Sequence, residues 1–317
     1  EKPANQGVDI QIISSAPNLF NTFKTGGLDV AYQTLDPDQI RSLVDGSKQG
    51  GWQVIEAGTN TINYLVLNQK SKPLDDVKVR QALAMLIDRK LFIDRVFQGQ
   101  ASPLYSLLPD TFPIYKPVFQ TQYGDGNQVD QAKKLLAEAG ITEANPLTLE
   151  LWHSSTSTTR NLVASTLKAA IEKQLPGIVN VDIKTAESAT IFDNLDKGVY
   201  PSVLLDWYPD FYDADTFVYP FLDCAKGSAS TGCEEGQTQS GGSFYFSEKA
   251  NDLFQQQRTD QNTQSRDALL TQLQDLAAKD VPYIPLWQNK DYVFARSGLE
   301  GVAIQPTQQF LFWQIQK

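Results

Sequence analysis

The chain is poor in the residues from which most enzyme and metal sites are built. Its 317 residues include one histidine, two cysteines and one methionine. A serine or cysteine nucleophile that needs a histidine would have to use His153, and no Gly-x-Ser-x-Gly elbow is present to hold such a serine. Dinucleotide and phosphate-loop glycine patterns are missing too. The sequence therefore predicts a protein that is not an enzyme and uses no cofactor or metal ion.

Positive charge and long apolar runs are also scarce. Lys and Arg number 27 against 37 Asp and Glu, so the net charge is −10 and the pI is near 4.7. Such a chain repels phosphate backbones and anionic membrane surfaces, which argues against nucleic acid as a partner. No apolar run approaches the roughly 20 residues of a membrane-spanning helix. At 41% hydrophobic residues, the chain can bury a core, and its length favours two lobes.

The two cysteines lie close together in the sequence. Cys224 and Cys233 are separated by eight residues rich in Gly and Ser, and a flexible spacer of this length lets the sulfur atoms meet. The alternative is a pair of free thiols in a cytosolic protein. We predict a disulfide.

The middle of the chain alternates predicted strands and helices. Parallel neighbouring strands need helical crossovers, so this order predicts an α/β lobe with a partly parallel sheet. The predicted elements are a strand at 147–152, a helix at 159–175, a strand at 179–184, a helix at 189–196 and a strand at 203–205.

A strong helix signal lies earlier, within residues 73–91. Apolar residues recur there on one helical face, and Asp75 and Asp76 stand at its start as cap and first-turn acid. Asp88 is predicted to cap the next helix. Arg80 is expected to form an ion pair with Asp76.

The ends of the chain carry several short predicted strands. Those before about residue 60 and after about residue 285 are too few to cover their own apolar faces, so we expect further structure to pack on them. The first residues show neither an initiator Met nor a signal pattern, and we expect a processed chain or part of a longer one. Strands are predicted at 8–14, 28–32, 52–55, 60–68, 283–287, 292–296 and 310–315.

Acidic and aromatic residues are concentrated directly after the predicted strand at 203–205. Asp210 stands there among large rings, and Pro209 prevents the strand from continuing. A carboxylate walled by rings suits a cation such as a peptide α-ammonium. The alternatives are a capping aspartate and ordinary packing of the rings. The rings are those of Trp207, Tyr208, Phe211 and Tyr212.

The neighbouring acids Asp206, Asp213 and Asp215 are expected to be solvated or to cap helices. A carboxylate pair such as Asp210 and Asp213 is also what a glycoside hydrolase needs, which keeps that enzyme class open as an alternative.

Several stretches occur in the order found in a known family. Together they resemble the peptide and oligopeptide (family 5) solute-binding proteins of ABC transporters. The stretches are 23–31, 64–89, 132–140, 207–217 and 281–286.

This resemblance implies an α/β, periplasmic-binding-protein-like clamshell (type II, family 5) in which lobe one is incomplete. It implies partial lobe one at 1–60, lobe two at 61–284 and a return to lobe one at 285–317. Hinge crossings are expected near 59–65 and 283–287. With lobe one incomplete, we expect weak or no binding by this chain alone.

The resemblance also assigns the site. In peptide-binding members, the Asp of a Trp-x-x-Asp motif holds the ligand α-ammonium, and Asp210 occupies that position. Members of the family place further contacts after the strand that here ends at Trp152, which brings in His153. Dipeptide-selective members favour Arg at that point, so His153 favours a longer, capped or non-peptide ligand. A satisfied structural histidine is the alternative.

Function and partners follow from the same resemblance. It implies the solute-binding component of an ABC importer, which binds a peptide or peptide-like solute by hinge closure and meets a membrane permease. A monomer in the periplasm or outside the cell is expected, and the resemblance also allows a lipid anchor on the full-length protein. A non-binding interaction module derived from the family is a further alternative, beside the glycoside hydrolase.

Overall fold

The computed structural model describes residues 2–33 and 35–317, which form an α/β chain. The strands are β1 Val30–Tyr32, β2 Trp52–Leu67, β3 Ala101–Pro103, β4 Leu147–Ser154, β5 Val179–Ala186, β6 Ser202–Trp207, β7 Lys226–Ser228, β8 Gly232–Glu235 and β9 Tyr283–Arg296. The α-helices are α1 Ala16–Lys24, α2 Pro37–Gly50, α3 Val77–Leu86, α4 Arg89–Phe92, α5 Val118–Tyr123, α6 Val129–Glu138, α7 Thr158–Gln174, α8 Ser188–Leu195, α9 Tyr219–Leu222, α10 Gln237–Ser240, α11 Glu248–Thr259 and α12 Thr263–Asp280. A π-helix spans Ile93–Phe97, and 3₁₀ helices span Ala214–Phe217 and Phe312–Gln314.

The chain divides into two compact units. The smaller unit contains residues 1–60 and 289–317, and the larger unit contains residues 61–288. Both β2 and β9 run from one unit into the other. Among the described helices, none has the length and apolar character required to cross a bilayer.

The sheet of the larger unit has the strand order β9-β2-β6-β4-β5, and β3 pairs with β9. β4 is parallel to both β5 and β6, whereas β2 and β6 are antiparallel. The predicted partly parallel sheet is therefore confirmed, because α7 and α8 provide the crossovers that parallel neighbours need.

Alternate side chains of the sheet feed two separate apolar cores in the larger unit. Leu151 and Leu204 belong to one core, together with residues of α3 and α7. Val203 and Leu205 belong to the other, together with residues of α8, α11 and α12. Since successive residues of a strand point to opposite faces, the near-continuous apolar run of β6 is what a strand buried on both faces requires.

The smaller unit has a core of its own around the rings of Phe23, Trp52 and Phe294. Two strand predictions were wrong in this unit. Residues 7–15 lie outside any helix or strand, and Phe312–Gln314 form a 3₁₀ helix. An alternating pattern becomes a strand only where a neighbour supplies backbone partners, and the sequence alone does not reveal that neighbour.

The start of α3 shows how acids and a buried arginine fix a helix. The cap of α3 is Asp76, one residue later than predicted, and its carboxylate accepts a hydrogen bond from the Lys78 amide at 2.8 Å. Asp88 likewise caps α4. Arg80 differs from its prediction. It is buried, and its guanidinium donates to backbone carbonyls of two separate segments rather than to the Asp76 carboxylate. These carbonyls belong to Leu74, Asp75, Asp280 and Val281.

Replacing Arg80 by lysine tests this arrangement. An ammonium group cannot reach the carbonyls of two separate segments, so buried acceptors lose their donors, and Arg80→Lys is expected to lower the free energy of unfolding by about 2–3 kcal/mol. Urea unfolding measures the change. The exposed Arg95→Lys is the matched control and should stay within about 0.5 kcal/mol of the wild type. Equal effects of the two variants would contradict the role given to Arg80.

The disulfide between Cys224 and Cys233 is present and closes the β7–β8 hairpin, which confirms the prediction. Both residues are buried. Removing the cross-link in the Cys224→Ser, Cys233→Ser double variant is expected to lower the free energy of unfolding by about 2–3 kcal/mol, because the unfolded chain gains freedom. Urea unfolding with and without reductant checks this: reductant should destabilise the wild type and leave the double variant unchanged.

Candidate functional site

The two segments singled out in the sequence follow adjacent parallel strands. Leu151 and Trp152 in β4 lie opposite Ser202 and Val203 in β6. The carboxyl ends of parallel strands meet at one edge of the sheet, and ligands of open α/β sheets bind beyond that edge. The segment after β6, residues 207–217, is here called the acidic–aromatic segment. It starts at the same edge as His153.

Trp207 anchors the start of the acidic–aromatic segment. Its indole Nε1 donates to the carbonyl of Thr216 at 2.9 Å, which ties the two ends of the segment together. Its ring lies edge-on to Phe221 with centroids 6.1 Å apart. Trp207 is partly buried, and both of these contacts are structural.

The tip of the segment is exposed. Tyr208 is 53% and Phe211 is 54% accessible, and Asp210 between them is exposed as well. Tyr212 is 50% accessible, but its ring stacks on Phe112 with centroids 4.6 Å apart. Water contacts the other three side chains, which is what a surface that receives a ligand requires.

The remaining acids of this region are neutralised by arginines. Asp206 accepts a hydrogen bond from Arg160 of α7. Asp213 receives both terminal nitrogens of Arg266, at 2.7 and 2.9 Å, and also accepts the amide of Asp215 as the cap of the 3₁₀ helix.

Asp215 is the third neutralised acid. It accepts two hydrogen bonds from Arg258, at 2.7 and 3.2 Å. Asp213 was thus predicted correctly as a cap, while its ion pair and that of Asp215 depend on arginines some 40 to 50 residues further along the chain. Within residues 2–33 and 35–317, Asp210 takes part in no such hydrogen bond or ion pair. The segment therefore presents one uncompensated carboxylate.

Trp152 and His153 occupy the end of β4. The indole of Trp152 donates to Glu150 at 3.0 Å and packs on the Tyr200 ring. His153 is 1% accessible, and its Nδ1 lies 2.9 Å from the carbonyl of Ser154, so this nitrogen carries the proton. The Nε2 atom is buried and has no hydrogen-bond partner among the described residues. With the proton on Nδ1, Nε2 is a hydrogen-bond acceptor that no described group donates to.

Metal ligands do not gather at this edge or elsewhere in the described part of the chain. No group of three or more His, Cys, Asp or Glu side chains is placed there to hold an ion. The chemistry available at the edge is one free carboxylate, exposed rings and a buried imidazole acceptor.

The Asp213–Arg266 pair makes the stability of the larger unit depend on pH. The Arg266 hydrogen bonds hold the pKa of Asp213 below its ordinary value. A depressed pKa in the folded state adds stability above the unfolded pKa of about 3.9 and loses it as the pH falls through the lower folded value.

Arg266→Gln removes this contribution. Because the pair is about one-third exposed, the variant should lose about 0.5–1 kcal/mol of unfolding free energy at pH 6. The difference from the wild type should shrink as the pH falls through the lowered folded pKa of Asp213, leaving only the loss of the Arg266–Gln257 hydrogen bond. Urea unfolding at pH 6 and at progressively lower pH measures it, and a pH-independent difference would contradict the assignment.

Comparison with known proteins places these features in a family. The model of the bacterial extracellular solute-binding proteins, family 5 middle region, matches residues 1–229. The periplasmic oligopeptide-binding protein OppA of Salmonella typhimurium is 28% identical over 222 residues, which cover 69% of this chain and 39% of that protein. OppA of Bacillus subtilis is 25% identical over 309 residues, which cover 96% of this chain and 54% of that protein. The chain thus spans about half or less of the length of these relatives.

A solved structure agrees in fold. The periplasmic binding protein DppA of Helicobacter pylori, solved in complex with the peptide STSA, matches with a TM-score of 0.77 at 23% identity, over 96% of this chain and 55% of that chain. The prediction of an α/β, periplasmic-binding-protein-like fold is confirmed by this likeness. Since the family model covers most of the sequence, the chain belongs to the family 5 bacterial extracellular solute-binding proteins.

Proposed function

We propose that this chain is part of the solute-binding component of an ABC importer and binds a peptide or peptide-like solute without covalent chemistry. The observation that carries the proposal is Asp210, an exposed carboxylate without a charge partner, between two exposed rings at the end of β6. The relatives named above are peptide-binding proteins, which supports the same solute class.

The charges around Asp210 favour a ligand with one positive group. The acids at 206, 213 and 215 are each matched by a guanidinium, so the segment carries a net charge of about −1. A peptide α-ammonium would form a charge-assisted hydrogen bond to Asp210, strengthened where Tyr208 and Phe211 exclude water. Ligand residues next to the ammonium would contact these rings.

His153 and Trp152 are proposed to contact the ligand further along its length. His153 Nε2 is buried, so the end of β4 would have to shift before this acceptor could take a hydrogen bond from a ligand amide N–H. An arginine is always charged and can donate two parallel hydrogen bonds to a terminal carboxylate, whereas an imidazole cannot. We therefore favour a ligand longer than a dipeptide, or one with a capped or absent C-terminus.

Closure of a hinge is the proposed binding mechanism. A ligand that contacts the closed state better than the open state shifts the population toward closure, with no covalent step. The proposed cellular partner is a membrane permease, and the proposed location is the periplasm or the outside of the cell, with the protein acting as a monomer. The Cys224–Cys233 disulfide supports an oxidising compartment.

The arginine partners argue against a glycoside hydrolase. That chemistry needs one carboxylic acid that keeps its proton near neutral pH and a second, ionised carboxylate. Arg266 lowers the pKa of Asp213, which keeps this group ionised. Asp213, held by two hydrogen bonds from Arg266, is therefore not available as the proton donor of such a pair.

The Asp210→Asn substitution tests the proposed contact. In the protein that carries this sequence, the loss of the charge should weaken binding of an α-ammonium peptide by about 2–5 kcal/mol, or roughly 30-fold to several-thousand-fold. Isothermal titration with peptides selected from a free-amine library measures the dissociation constants. Asp193→Asn on α8 removes another exposed aspartate and should leave them unchanged.

Two outcomes would contradict the proposal. An unchanged dissociation constant for Asp210→Asn would remove this residue from the site. If the wild type hydrolyses members of a glycoside panel and Asp210→Ala abolishes this turnover, the glycoside hydrolase is favoured instead.

A further inference from the structure

The acidic–aromatic segment has little backbone support of its own. After β6 ends at Trp207, the chain enters no regular element until the 3₁₀ helix at Ala214–Phe217. Within the tip, the amide of Asp213 bonds to the carbonyl of Phe211 at 3.1 Å. Side chains from elsewhere in the fold must therefore fix the position of Asp210.

One connected set of polar side chains provides that support. Arg266 of α12 donates two hydrogen bonds to Asp213, and its Nε donates to the Oε1 of Gln257 at 3.0 Å. Gln257 of α11 is fully buried and in turn donates to Asp215. Asp215 also receives Arg258. We call these five residues the arginine brace.

The brace is itself held rigidly. The guanidinium of Arg258 lies over the Tyr219 ring at 3.8 Å, a cation–π contact that fixes its plane. Helices α11 and α12 pack on each other with apolar residues in one core. Each guanidinium makes a forked contact with its carboxylate, which sets orientation as well as distance. The segment is thus pinned at residues 213 and 215, only a few residues from Asp210.

We propose that Arg266 and Arg258 are positioning residues that fix Asp210 for its cationic ligand although neither residue contacts the ligand. The inference rests on the proposed binding role of Asp210. A segment held in its bound geometry before the ligand arrives loses less conformational entropy on binding, which raises affinity without adding a contact. The brace also neutralises the carboxylates of Asp213 and Asp215. Asp210 is then the carboxylate of the segment that remains to attract the ammonium group of the ligand.

A double-mutant cycle on the protein that carries this sequence separates positioning from general stability. The variants are Arg266→Gln, Asp210→Asn and the two combined, with the exposed Arg95→Gln as control. The probe is an equimolar mixture of synthetic tri- to pentapeptides with free amino termini, and the readout is the amount retained by the folded protein in native mass spectrometry. The same mixture with acetylated amino termini is measured beside it.

The expected result is that Arg266→Gln weakens retention of the free-amine mixture roughly tenfold. It should have no further effect once Asp210 is Asn, because there is then no charge to position. Arg266→Lys keeps the charge and should restore part of the retention. Amide hydrogen exchange should speed up at 208–212 in Arg266→Gln, while β4 and β5 stay protected.

The contrary outcomes are distinct. If Asp210→Asn weakens retention but Arg266→Gln does not, or if the two losses simply add, the positioning role is wrong and the proposed function stands. If Asp210→Asn retains as much free-amine peptide as the wild type, the proposed site fails, and the positioning role fails with it. If the control Arg95→Gln loses as much retention of free-amine peptide as Arg266→Gln, the effect comes from the change in net charge and the positioning role is wrong.

Discussion

The arrangement depends on the pairing of guanidinium groups with carboxylates around the end of β6. Four acids lie within ten residues at 206–215, and like charges this close would repel one another and push the segment apart. Arg160, Arg258 and Arg266 each remove one of these charges. The remaining carboxylate, at Asp210, has no arginine partner among the described residues. A cluster that looks in sequence like a strongly acidic surface thus carries one uncompensated negative charge.

Local chemistry explains what the sequence predicted well. The bounds of α7 were predicted to within one residue, because its cap, Ser157, lies directly before a periodic apolar run. The alternation of strands and helices between residues 147 and 207 also determined the parallel pairing of β4 with its neighbours. A helix signal spans fewer than 20 residues and the alternation follows the order of the chain, so neither needs knowledge of distant contacts.

Long-range partners explain the rest. Nothing near Asp213 in the sequence indicates Arg266, which lies 53 residues away, and the buried Arg80 is held by carbonyls about 200 residues further on. The predicted strand at 8–14 failed for the same reason: Val8, Ile10 and Ile12 alternate correctly yet are exposed, because a strand needs a neighbour that composition cannot supply. Of the candidate site, the sequence thus indicated the exposed tip and the edge at His153. It did not indicate the brace.

The exposed rings at the tip acquire a physical meaning once the brace is known. Tyr208 and Phe211 would gain free energy by turning into the core, and each leaves about half its surface in water. A flexible loop would allow that collapse. The brace prevents it, since residues 213 and 215 are pinned and Pro209 is buried beside the end of β6. Local departures from the hydrophobic pattern are expected where function sets the sequence, and here the departure lies between the end of β6 and the pinned residue Asp213. Under the proposed binding role of this segment, a ligand that covers Tyr208 and Phe211 recovers the free energy that the fold forgoes there. The same two arginines would then couple the stability of the segment to its binding.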